Sequence, residues 1–312
     1  MLKLNQIWQL LRAAAEGYVN DTCLSRGAAI AYYTVFSLAP VLLIVIAIAG
    51  LVFGDEAARG AVVGQISGLM GHTGADAVQA MLKSASGRGS GIIATIIGAV
   101  TLLIAASGVF GEMQAALNVI WKAQPRAGAV SQLVRARLQS LGLVMALGFL
   151  LMVSLVVSAG LTAVDSYLAV RLPGVHLLLG VFSSVLSFAF IALVFAAIYK
   201  VLPDTRIAWR DVGIGAVVTT LLFTIGKNLI SLYLGSSSVA STYGAAGALG
   251  IILVWIYYSS QIFLFGAEFT RAYAERSGSR SGNPLDLPGH AGEIERMKAK
   301  LAKAPRQAAR KT

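Results

Sequence analysis

Residues 177–199 read LLLGVFSSVLSFAFIALVFAAIY, twenty-three positions without a charge. At 1.5 Å rise per residue, about 20 helical residues cross a hydrocarbon core of roughly 30 Å, so this stretch is long enough to span a bilayer as one helix. Lipid offers no partner to backbone N–H and C=O groups, which leaves the self-satisfied helix and the closed barrel as spanning forms. A barrel needs short segments of strict alternation, and the run shows none. Outward from it, five more long apolar runs occupy 27–53, 91–110, 138–163, 212–234 and 244–266. The reading is an all-α polytopic membrane protein with six transmembrane helices.

Composition agrees with that reading. Of 312 residues, 57% are hydrophobic and 12% charged, against about 25% charged in an average soluble domain. The first run is longer than a signal-peptide core and lacks a cleavage site, so it reads as a retained span. The net charge of +11 would point to nucleic acid in a soluble domain. Here the distribution matters more. With six spans, 20 of the 25 Lys and Arg fall on the side of both termini; Arg59, Lys83, Arg88 and Arg171 fall on the other, and Lys227 lies within a span. The positive-inside rule then sets an N-in/C-in topology in the inner (cytoplasmic) membrane of a bacterium.

The chain divides into three parts. Residues 1–26 read as a cytoplasmic or interfacial amphipathic helix, with Leu4, Ile7, Trp8, Leu11, Ala14, Ala15 and Tyr18 at helical spacing. Such a stripe fits a helix lying on the inner leaflet and equally one packed on the bundle, because an apolar face does not name its partner. Residues 27–271 form the transmembrane domain. Its external segment, 54–90, reads as two short amphipathic helices with a turn at 71–74, and Gly60, Gly64 and Gly68 line one face that permits close approach of another helix. Residues 272–312 form a basic, mostly disordered cytoplasmic tail, for which solvation is the better reading than binding of lipid headgroups or RNA.

Sets of catalytic residues are missing. His72 and His176 fall outside and His290 inside, so they cannot share a metal, and no HxxxH or paired-cysteine pattern offers another metal site. There is no Walker A sequence and no GxSxG elbow. A loose dinucleotide fingerprint at 89–94 opens a span and follows no strand. No catalytic residue, metal, cofactor or specific nucleic acid is expected. The single cysteine, Cys23, reads as a packing residue.

Polar residues inside apolar runs carry more information, since each is costly in hydrocarbon unless paired or hydrated. Lys227 lies about 24 Å along the fifth helix from Asp211, with Asn228 beside it; it either faces a hydrated cavity and meets an anionic lipid group, or snorkels to the external headgroups. Glu112 and Glu268 sit near the ends of two spans in similar contexts, where ion pairs to Arg271 or Lys122 are favoured over a proton relay. Gln261 adds a polar side chain to this set as a lipid or pathway contact. Pro40, inside the first span, removes a backbone donor and is expected to bend the helix.

Four stretches together carry a resemblance: DTCLSRGAAIAYYTVFSLAP at 21–40, NVIW at 118–121, LPDTRIAWRD at 202–211, and 243–268 with YGAAGALG, Trp255, Tyr257 and FGAE. In order and spacing the chain resembles the BrkB/YihY family of bacterial inner-membrane proteins; the tail after Arg271 is outside the match. The resemblance implies six transmembrane helices and a role in envelope integrity, with some members linked to resistance to serum killing. Members have carried the label ribonuclease BN, but this chain lacks the clustered His and Asp of a metal-dependent ribonuclease. The function expected is transport or handling of an anionic envelope lipid, with membrane lipids as partners. The alternative is a non-catalytic scaffold whose segment 54–90 docks a periplasmic envelope protein.

Overall fold

The computed structural model describes residues 4–86, 108–123, 175–236 and 239–280, and every regular element among them is a helix. In chain order these are α1 (Leu4–Asn20), α2 (Cys23–Phe53), α3 (Asp55–Ser86), a helical segment over 108–120, α4 (Val175–Val201), α5 (Trp209–Ser236) and α6 (Val239–Arg276). Among the described residues, three stretches are long and apolar enough to cross a membrane, Gly180–Val201, Trp209–Tyr233 and Leu249–Arg276, and α2 adds a fourth if its two bent pieces count as one span. The expected second span, except for residues 108–110, lies outside the described residues. So do the whole of the third span and the tail from 281.

The pieces of α2, Cys23–Leu38 and Val41–Leu51, meet at 43°. Residue 40, in the break, is a proline and has no N–H to give to the preceding turn. α3 is also two helices in effect: Gly71 interrupts it at φ 75°, ψ 176°, a conformation that suits a residue without Cβ. Its halves bury Ala58, Val62, Met70, Ala77, Val78 and Leu82 against Ala31, Val35 and Ile46 of α2 and Ile252 and Ile256 of α6. Among the described residues, no helix packs closely on the face of Gly60, Gly64 and Gly68. A Cβ at any of the three would meet open space, because α3 turns its Ala and Val face to the bundle and the glycines away.

α6 is the hub, touching α1, α2, α3 and α5. At its carboxyl-terminal end Phe263, Leu264 and Ala267 pack with Ile30 of α2, Leu117 and Ile120 of the 108–120 segment, Tyr199 of α4 and Val212 of α5. α1 lies along the last turns of α6, with Leu10 and Ala14 buried against Phe269, Ala272 and Tyr273. It therefore packs on the bundle. Its apolar stripe is wider than that contact, and Trp8 remains 70% exposed beside exposed Ile7 and Leu11.

Polar contacts fasten the ends of these helices. Asn118 donates to Asp204 Oδ2 at 2.7 Å and accepts from the Asp204 backbone N–H at 2.8 Å. Buried Asp211 accepts from Ser279 Oγ at 2.5 Å, and Arg280 donates to Thr205 Oγ1 at 3.0 Å and lies over the Trp121 ring. The NVIW and LPDTRIAWRD stretches thus hold each other and the start of the tail.

Candidate functional site

Two features adjoin where α1, α2, α5 and α6 meet. The first is a buried charge node. Asp21, in the turn between α1 and α2, is 6% exposed and accepts from Lys122 Nζ and from Arg271 Nη1 at 3.3 Å. Arg271 also donates to Glu275 at 2.8 Å and stands 3.8 Å from Glu268, which is 2% exposed. Cys23 Sγ points at Glu268 Oε1 from 3.9 Å, and the Arg26 side chain donates to the Asp21 carbonyl at 3.1 Å. Buried charges need partners of this kind, since an unpaired one carries the full desolvation cost.

Local backbone makes the node possible. Thr22 and Lys122 are the two non-glycine residues with positive φ among those described, at 54° and 50°. A left-handed residue costs roughly 1–2 kcal/mol. The Thr22 turn presents Asp21 to α6, and the Lys122 turn, closed by Ala123 N–H to Asn118 O at 2.8 Å, aims the ammonium at Asp21. Gly17 completes the fit, because a Cβ there would collide with the Glu268 carboxylate.

The second feature is an open groove of about 360 Å³ between α5 and α6, lined mainly by Leu222, Ile225, Leu229, Ile262 and Phe265. Tyr18, Gln261 and Tyr258 supply its polar lining. The Tyr18 hydroxyl donates to Gln261 Oε1, and the Gln261 amide donates to the Leu24 carbonyl at 3.4 Å. The Tyr18 phenol is pushed up to about 12, first by burial and then by the nearby Cys23 thiol and Tyr257, so it stays a neutral donor. At Gly226 a Cβ would run into Ile262 and Tyr258, so this residue sets how closely the two helices flank the groove.

Of the residues singled out in the sequence, the structure brings Glu268 and Gln261 to this region. Glu112 is half-buried, outside the node, and pairs with no described residue. Lys227 sits on the face of α5 toward α3, where its Nζ lies 3.5 Å from the Gly68 carbonyl. The break at Gly71 leaves the carbonyls just before it short of helical partners, and a cation there also meets the negative end of the first half of α3. Asn228 is exposed, outside the groove lining. The sequence offered Arg271 and Lys122 as ion-pair partners for the two glutamates, and Arg271 does stand beside Glu268; Asp21 and Tyr18 are the members it did not assign to a site. Only Asp21 gave a local signal, as an acid at the mouth of an apolar run. Among the described residues, no three His, Cys, Asp or Glu are grouped to hold a metal.

The profile of a family described as "Virulence factor BrkB" matches residues 14–287. A "UPF0761 membrane protein" of Alcanivorax borkumensis is 29% identical over 284 residues, covering 86% of this chain and 61% of the relative. One from Pseudomonas aeruginosa is 29% identical over 262 residues, 83% of this chain and 61% of its own length. One from Alteromonas mediterranea is 30% identical over 249 residues, 79% of this chain and 81% of its own. The chain thus spans about three-fifths of the first two relatives, at 61% of each. No solved structure matches it.

Proposed function

This chain belongs to the BrkB family and is a multi-pass membrane protein, and from that premise we propose that it handles an anionic envelope lipid, a phospholipid or close relative, in the inner membrane. The observation that carries the reading is the groove between α5 and α6. Its volume falls within the roughly 300–1,000 Å³ of ligand sites, and Ile225 and Leu229 place its open side on the exposed apolar face of α5. In a bilayer that face meets acyl chains. The Tyr18–Gln261 pair gives the groove hydrogen-bonding groups that lipid tails do not use, which favours a ligand with both an apolar and a polar part.

The test is reconstitution of the full chain in vesicles with labelled phosphatidylglycerol. The wild type is expected to speed movement of the label between leaflets, and Gly226→Leu, which fills the groove, to slow it about tenfold, equivalent to ~1.4 kcal/mol. Wild-type vesicles no faster than protein-free ones would sink the reading.

One observation favours a second reading. The open face of α3 at Gly60, Gly64 and Gly68 leaves room for a partner helix, as a scaffold docking a periplasmic protein would need. Crosslinking from Gly64→Cys that captures an envelope protein, with no lipid movement in vesicles, would decide for the scaffold.

A further inference from the structure

The outer face of α5 has a polarity that the groove alone does not explain. Trp209 and Arg210 begin the helix, both exposed, and the Lys200 ammonium stacks on the Trp209 ring at 5.2 Å. Tryptophan with a basic neighbour at the end of an apolar helix marks the headgroup level. Arg210 pairs with no described residue. On the same face, at helical spacing, follow Val217 (50% exposed), Leu221 (52%) and Ile225 (52%). Ile225 belongs to the groove lining. One continuous lane therefore leads from a guanidinium without a partner among the described residues, at the headgroup level, to a cavity within the bilayer.

The length of the lane selects its occupant. Arg210 and Ile225 are fifteen residues apart, about 22 Å along the helix, and one leaflet is half of roughly 40–45 Å. A phosphate held at Arg210 puts the end of its acyl chain at Ile225. We propose that the outer face of α5 seats one anionic phospholipid of the leaflet on the Trp209 side, with its phosphate on Arg210 and one acyl chain running past Val217 and Leu221 into the α5–α6 groove. This rests on the lipid-handling reading and names its ligand and the residues that hold it. Arg210 selects for charge, because a zwitterionic headgroup offers the guanidinium a neutralised phosphate. Gly226 selects for the chain, because any side chain there would narrow the space beside Ile262.

The experiment uses the purified full chain with phosphatidylglycerol and phosphatidylcholine, each carrying a photoreactive group at the chain end. The wild type is expected to retain phosphatidylglycerol over phosphatidylcholine by roughly fivefold, the equivalent of ~1 kcal/mol for one basic residue at a membrane surface. Crosslinks should map to Ile225, Leu229 and Ile262. Arg210→Gln should erase the preference, Arg210→Lys restore it, and Arg206→Gln, an exposed arginine outside the lane, leave it intact. Gly226→Leu should remove the groove crosslinks and spare the headgroup preference. A preference that survives Arg210→Gln, an equal loss in Arg206→Gln, or crosslinks spread evenly over α4 and α5 would overturn the proposal. If the predicted pattern holds while vesicles show no lipid movement, the seat stands and lipid handling falls.

Discussion

Asp21 and Glu268 are charged and nearly sealed from the surface, while Val217, Leu221 and Ile225 on α5 are apolar and half open. In water both arrangements would be wrong: the carboxylates would lose hydration and the aliphatic side chains would waste their burial. In lipid both follow from one rule. Hydrocarbon accepts Leu221 as readily as a protein core does, and the buried Asp21 carboxylate needs other protein groups, here Lys122 and Arg271. The contrast separates buried positions that other protein groups satisfy from the outer face of α5, which its solvent satisfies.

The sharpest way to break the contrast is at the node. Asp21→Ala leaves Lys122 and Arg271 facing each other without a shared anion, and should lower stability by about 3 kcal/mol, the low end for a broken buried pair because Lys122 is 42% exposed. Thermal unfolding in detergent measures it; a shift within error would show that the node is solvated. Next comes Gly17→Val, which drives a side chain into Glu268 and should cost about 2 kcal/mol. Faster hydrogen exchange confined to residues 4–20 would show α1 lifting from α6, and unchanged exchange there would contradict the packing.

Leu221→Ala should change detergent stability by less than ~0.5 kcal/mol, the range of a surface position. Leu264→Ala, on α6 and fully buried, should lose about 2–5 kcal/mol. Equal losses at the two leucines would erase the distinction between lipid-facing and protein-facing positions. The smallest effect is on pH. The Tyr18 phenol is raised from its ordinary 10.0 to about 12, so its contribution is complete below pH 10 and fades as pH climbs toward 12. The phenolate absorbance difference between wild type and Tyr18→Phe should rise near 12; a rise near 10 would place Tyr18 in water.

How much of this was legible follows from the range of each signal. The uncharged run at 177–199 announces α4 because length and apolarity are local properties, and Gly71 falls within the turn expected at 71–74. The stripe on α1 was legible as a stripe; that its partner is α6 depends on Phe269 and Tyr273, far along the chain. That Lys122 pairs with Asp21 was not legible, because nothing local links residues 101 positions apart. Glu268 was noticed for its place in an apolar run, and its ion pair with Arg271 was legible because the two stand three residues apart on one helix. The four-residue spacing of the α3 glycines defines a face without saying which way it turns, and the structure turns it away from α2 and α6.

The central claim is that Val217, Leu221 and Ile225 face lipid. It is tested most directly by spin labels placed singly at these three positions and at Leu264, after Cys23→Ala removes the one native thiol. In vesicles the three α5 labels should be relaxed strongly by oxygen and weakly by a water-soluble nickel chelate, and the Leu264 label weakly by both. Strong relaxation by nickel at Leu221 would put that face in water and contradict the account.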